Sequence, residues 1–251
     1  MVFSITFLSL LLCLALAGAG VAFACGRGCV GSRLMCVGWV GSLALLALNA
    51  LLAQAPPFGN MRHVLCFFPV VVAPAWYYLR RVRGVELGAF FAWAAVLALI
   101  GALCMPMQGG WRQMPALQSP WFVPHVASYV FSYALLTVAA LLALLSLRRG
   151  DEETRLAQAD AVLRLAFPWL VFGLCSGALW ADAAWGRYWA WDIKEVWSLL
   201  TCVVYLVYFH AAHHLPTWRR PLLLLGFVAV IITFLVVNLL PKITSLHSYA
   251  M

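Results

Sequence analysis

Long apolar runs separated by short polar stretches make up most of the chain. Runs of the length needed to cross a bilayer, about 17–25 residues, lie at 4–24, 35–54, 64–80, 86–105, 125–147, 162–182, 195–213 and 222–240. A backbone in hydrocarbon must satisfy its own hydrogen-bonding groups, and a helix does so within one segment. The pattern therefore predicts an all-α, polytopic integral membrane protein with about eight transmembrane helices. The third run contains Pro69 and Pro74, which membrane helices tolerate when neighbours satisfy the freed carbonyls. The first run starts at Val2 with no basic stretch before it and ends at Cys25-Gly-Arg-Gly, not at a small-residue cleavage site. It reads as a retained helix, not a signal peptide.

Composition agrees with the pattern. Of 251 residues, 65% are hydrophobic and 10% charged, against about 25% charged in a soluble domain. The expectation is a single membrane domain over 1–251, made of N-terminal helices 1–4 (1–110) and a second group over 111–251. The net charge of +8 does not point to nucleic acid, because the arginines and lysines cluster between apolar runs, as loop charges do in membrane proteins. Alternate loops hold Arg27 and Arg33; Arg80, Arg81 and Arg83; Arg148, Arg149, Arg155 and Arg164; and Arg219 and Arg220, eleven residues in all. The remaining five are Arg62, Arg112, Arg187, Lys194 and Lys242. The positive-inside rule assigns the first set to the cytoplasm. Both termini and the loops 55–63, 106–124 and 183–194 then face outward. Residues 148–155 read as a solvated inner loop, and the Pro-Pro-Phe-Gly-Asn run at 56–60 as an outer turn.

The eight cysteines include no CxxC pair and mostly sit inside apolar runs, where a free thiol behaves as a small hydrophobe. Cys25 and Cys29 flank a Gly/Arg turn, but no His or Cys cluster accompanies them.

One segment departs from the loop pattern. Residues 180–197 carry Trp180, Trp185, Trp189, Trp191 and Trp197, five of the chain's twelve tryptophans, mixed with Asp182, Arg187, Asp192, Lys194 and Glu195. An aromatic belt at the membrane interface accounts for some tryptophan. A belt needs neither five on one short stretch nor both charge signs among them. Flat aromatic faces with a few fixed polar groups also describe a ligand platform. Indole stacks on a conjugated ring, and Arg or Lys pairs with carboxylates at the ring's edge. A porphyrin with two propionates meets both demands, whereas a quinone meets only the first.

Haem also needs axial ligands, for which histidine is the usual choice. His125 follows Pro124 at the outer start of the fifth run, and His247 lies just past the eighth. Both are expected on the side of the tryptophan segment. His210 lies about 22 Å along the seventh helix from Glu195, and an ionisable group within a membrane span is a functional candidate by default. His213 and His214 share its face but reach the inner boundary, and His63 reads as an interfacial residue at the outer start of the third run.

Trp185-Gly186-Arg187-Tyr188-Trp189-Ala190-Trp191-Asp192-Ile193-Lys194-Glu195-Val196-Trp197 resembles the WWD signature of haem-handling proteins in cytochrome c maturation. Together with Pro124-His125, Tyr205 to His210, Val237-Asn238 and Leu246-His247-Ser-Tyr-Ala250, it is similar to the CcsA (ResC) branch of the system II synthases, related to CcmC and CcmF. The likeness covers about 115–250. Ala190 and Ile193 replace a usual Gly and Pro, and Arg62-His63 replace a usual aromatic and acidic pair.

That resemblance implies haem b at an external WWD site, with His125 and His247 as axial ligands and Trp180 through Trp197 as the platform. It implies His210 as one ligand of a membrane haem. Its partners would be a separate CcsB (ResB) membrane subunit, an apocytochrome c bearing CxxCH, and a thioredoxin-like thiol reductant. The activity implied is that of a cytochrome c haem lyase in a bacterial cytoplasmic membrane, with the WWD loop on the periplasmic face and no residue assigned as acid or base. Two other readings stay open at this stage: a CcmC-type haem carrier without lyase activity, and a haem-containing quinone anchor.

Overall fold

A computed structural model describes residues 2–53, 58, 61–105, 115–148, 151–211 and 214–236. These residues form eight α-helices, and seven of them, with a short helical extension where one borders them, are long and apolar enough to cross a membrane. The chain is a multi-pass, all-α membrane protein. It divides into two compact units, 1–114 and 115–251.

The first unit holds α1 (Val2–Ala24), α2 (Gly28–Ala53), α3 (Met61–Arg83) and α4 (Gly88–Cys104). At 17 residues α4 is only about 25 Å long, shorter than each of the other seven spans, α8 being taken with the short helical turns at its ends. α3 runs unbroken through Pro69 and Pro74. α1 packs closely on α2 because Gly38 and Gly41 leave room for Leu16 and Leu12, where a Cβ would come within 2.5 and 2.2 Å of them. Arg62 and His63 were expected at an outer interface. Instead both are buried in the first turn of α3, at 4% exposure each. Arg62 Nη1 donates to the carbonyls of Ala102 (2.8 Å) and Met105 (3.1 Å), so a cation meets the electron-rich C-terminal end of α4.

The second unit holds a 3-10 turn (Pro115–Gln118), α5 (Phe122–Leu145), α6 (Glu152–Trp185), α7 (Ile193–Ala211) and α8 (Arg219–Ile231), which opens into a π turn over Ile232–Val236. The expected loop 148–155 and helix 162–182 are corrected here: α6 is 34 residues long and begins at Glu152. At about 51 Å it overshoots a hydrocarbon core of about 30 Å. Its first turns are charged, and a search for apolar runs passes over them. They are helical because Leu156, Ala159, Val162, Leu163 and Ala166 recur at helical spacing on a buried face, while Glu152 and Glu153 suit the positive end of the helix. This end is tied to α8 by Arg219 Nη1 on Glu153 (2.8 and 3.1 Å to its two oxygens) and by Arg220 on Glu152.

Candidate functional site

His125, one turn into α5, faces α6. Its Nδ1 lies 2.9 Å from the Gly173 carbonyl oxygen. A carbonyl can only accept, so Nδ1 carries a proton, and in the neutral imidazole the lone pair is then on Nε2. That tautomer is the one a metal-ligating histidine adopts when a backbone carbonyl orients it. The ring stacks on Trp180 at 5.5 Å and 17° and meets Tyr129 edge-on at 5.0 Å. Gly177 makes the arrangement possible, since a Cβ there would sit 2.6 Å from both Nδ1 and Cε1 of His125.

Trp180 is fully buried at 1% exposure. Its indole N–H donates to the Ala116 carbonyl at 2.6 Å, which fastens the 3-10 turn across the end of α6. Trp185 packs edge-on against Trp180 at 4.8 Å. His125, Trp180 and Trp185 therefore form one contiguous aromatic group. Replacing Trp180 with Phe keeps the stack and removes the N–H. The expected cost is about 1 kcal/mol, read as a lower unfolding midpoint and faster proteolysis within 115–121. Unchanged proteolysis would show that the indole N–H does not hold the turn.

α6 ends where Gly186 takes a left-handed conformation, φ 70°, the usual way to terminate a helix. Six further residues lead to α7. Trp191 is also left-handed, φ 57°, which costs a non-glycine residue of order 1 kcal/mol or more. Glu195 holds it there. One carboxylate oxygen accepts the N–H of Ala190 (2.8 Å) and that of Asp192 (3.1 Å), the two amides flanking Trp191. Asp192 in turn accepts the Lys194 N–H at 3.3 Å. Glu195, at the third position of α7, thus reaches back to the amide of the N-cap residue Asp192 as in one half of a capping box, while Asp192 caps the amide of Lys194. Glu195 is 8% exposed, and its carboxylate serves the turn.

Other residues of the segment are more exposed. Tyr188 is 57% and Trp191 72% exposed, and Arg187 is exposed as well. Trp189 packs edge-on against Trp191 at 5.9 Å, with its indole nitrogen buried and without a hydrogen-bond partner among the described residues. Trp197 is half-buried on α7, and its carbonyl accepts the Thr201 hydroxyl.

His210 stands at the far end of α7, exposed, with Nδ1 2.7 Å from the Leu206 carbonyl oxygen. It lines an open groove of about 550 Å³ with Val203, Leu206, Val207 and His214. His213 and His247 lie outside the described residues, as do Arg112, Arg149 and Lys242. No group of three or more His, Cys, Asp or Glu gathers among the described residues in a way that would hold a metal ion, and Cys25 and Cys29 are both exposed free thiols.

Sequence reasoning passed over Gly173, Gly177 and Tyr129. The signal was present as two matched four-residue steps: His125 and Tyr129 on α5, Gly173 and Gly177 on α6. Small residues four apart let membrane helices approach closely, and here they make room for the two rings.

A family model described as "Cytochrome C assembly protein" matches residues 2–245. The chain is 38% identical to the protein named cytochrome c biogenesis protein CcsA of Chlamydomonas reinhardtii over 57% of its own length and 44% of that protein's. It is 34% identical to the one of Guillardia theta, over 59% and 60%. The match to the one of Synechococcus elongatus is 29% identical and covers 92% of this chain and 90% of the relative. The chain thus spans less than two thirds of the first two relatives.

Proposed function

Since the chain belongs to the cytochrome c assembly protein family, we propose that it is the haem-handling subunit of a system II cytochrome c synthase. The observation that carries this is the His125 ring. Its tautomer is set by the Gly173 carbonyl, its face is set by Trp180, and it lies beside the tryptophan segment. These residues fit haem. His125 offers Nε2 to iron, half-buried Trp185 walls one side with Trp180 packed behind it, and exposed Arg187 suits a propionate. His247 is the second axial ligand in this reading.

Haem b is the substrate, and it supplies the two vinyl groups. The thiols of a CxxCH segment in apocytochrome c add across them, each S–H bond giving a C–S and a C–H bond with no net oxidation. The chain's own part is positional. His125 holds the iron, the tryptophans orient the ring, and the Glu195 and Asp192 caps set the path of the segment, so that a diffusive encounter becomes an oriented one. His210 is a ligand of a second haem within the membrane. Its groove on α7 would accept a helix of a separate CcsB-type subunit that brings the other histidine. The tryptophan segment lies on the periplasmic face of a bacterial cytoplasmic membrane, and a thioredoxin-like reductant keeps the substrate thiols reduced.

The test is co-expression with a CcsB-type subunit and a CxxCH reporter in cells lacking other maturation systems. The expected result is covalent haem on the reporter, reduced at least about tenfold by His125→Ala or His247→Ala and unaffected by His213→Ala. Haem bound to the chain with no covalent product from the pair would sink the synthase reading in favour of a haem carrier. Equal yields from all three variants would overturn the ligand assignment.

A further inference from the structure

The first unit has an open cavity of about 440 Å³ between α2 and α3, far along α3 from Arg62, with arginines set in a largely apolar and aromatic wall. Its walls include Ser32, Trp76, Tyr77, Arg80, Arg81 and Glu86. This end of the unit carries Arg27, Arg33, Arg80, Arg81 and Arg83 against a single acidic residue, Glu86. The two cavity arginines are held differently. Arg80 is fixed: its Nε meets Glu86 at 3.3 Å, its Nη1 donates to the Ser32 hydroxyl at 2.9 Å, and its guanidinium lies 5.7 Å from the centre of the Trp76 ring. Arg81 lies 5.6 Å from the centre of the Tyr77 ring and has no carboxylate partner among the described residues.

We propose that this cavity binds the phosphate of an anionic phospholipid headgroup. Arg81 supplies the uncompensated charge. Arg80, oriented by Glu86 and Ser32, presents a guanidinium beside the start of α2, where the unpaired amides of a helix N-terminus also favour an anion. The cavity sits at the ends of two membrane-spanning helices, and exposed Tyr77 and Val82 adjoin it. A free phosphate would use only the arginines. A phospholipid uses the arginines and the aromatic and apolar surface beside them, as basic pockets between transmembrane helices do.

The experiment uses the full chain, purified in mild detergent and exchanged into nanodiscs of phosphatidylcholine alone or with phosphatidylglycerol. Phosphatidylglycerol raises the melting temperature of the wild type, and native mass spectrometry shows it retained. Arg81→Gln removes the increment and lowers retention about fivefold. Arg33→Gln, at an exposed arginine of the same end outside the cavity walls, leaves both unchanged. Equal losses in Arg33→Gln and Arg81→Gln would overturn the proposal, since they mean diffuse attraction to the surface. Equal protection by inorganic phosphate in phosphatidylcholine discs would also overturn it, as that indicates an anion site and not a lipid site. So would retention in Arg81→Gln matching the wild type.

Discussion

With His125 as the proposed haem ligand, replacing Gly177 with alanine displaces the His125 ring and lowers haem retention about tenfold or more. The added Cβ would lie 2.6 Å from Nδ1 and Cε1 of His125, closer than carbon approaches either atom without repulsion. Relief requires the ring to leave the Gly173 carbonyl and the Trp180 face, or α5 and α6 to separate. Overpacking of this kind costs about 1–3 kcal/mol. The loss of haem follows from the tautomer: without the Nδ1–H bond to Gly173, the Nε2 lone pair is no longer aimed. A double-mutant cycle isolates the contact. In a His125→Ala background the extra methyl has room, so Gly177→Ala should cost almost nothing there, and the two stability losses should be strongly non-additive. Additive losses, measured by unfolding midpoint in one detergent, would show that the glycine acts elsewhere. Gly173→Ala is a graded control, because its Cβ would meet Tyr129 at 3.2 Å, a milder contact.

Glu195→Ala should loosen the whole turn between α6 and α7. The carboxylate accepts the amides on both sides of Trp191 from a site only 8% exposed. Hydrogen bonds to a charged acceptor contribute about 1.5–3 kcal/mol each, and the left-handed Trp191 has strain to release. The expected loss is about 2–4 kcal/mol of local stability, with amide exchange across 187–195 faster by at least about tenfold. Glu195→Gln keeps a neutral acceptor oxygen and should fall between wild type and Glu195→Ala. Hydrogen exchange followed by mass spectrometry decides the matter: protection in Glu195→Ala equal to that of the wild type would mean that Trp191 is held by something else. Trp191→Gly separates strain from anchoring. It should slow the exchange of Glu195→Ala, because glycine adopts the left-handed conformation without cost.

Each helix was visible as an apolar run, since the bilayer imposes length and hydrophobicity on any segment that crosses it. Ends were less visible wherever charge continued the helix past the hydrocarbon. Glu152 to Arg164 belong to α6 because their apolar residues keep helical spacing while the intervening charges reach water. Arg62 and His63 had a similar fate in reverse: charged letters at a run's edge read as interfacial, yet the chain buries both, and for Arg62 the burial is compensated in part, at Nη1, by carbonyls at the end of α4, residues about forty positions away.

In the tryptophan segment the letters announced a cluster of aromatic and charged groups but not the division of labour within it. Asp192 and Glu195 looked equally able to meet a ligand or to shape the chain. The Glu195 carboxylate accepts the amides of Ala190 and Asp192, and that of Asp192 accepts the Lys194 N–H, so both take part in shaping the chain. By itself the sequence determined an all-α membrane protein with an aromatic segment, because those follow from hydropathy and composition, and its motifs offered His125, His210 and His247 as candidate ligands. Only the tertiary structure decided that His125 is gripped between Gly173, Gly177 and Trp180, with Nδ1 on the Gly173 carbonyl. That depends on the packing of α5 on α6, a contact between residues about fifty positions apart, which no local pattern encodes.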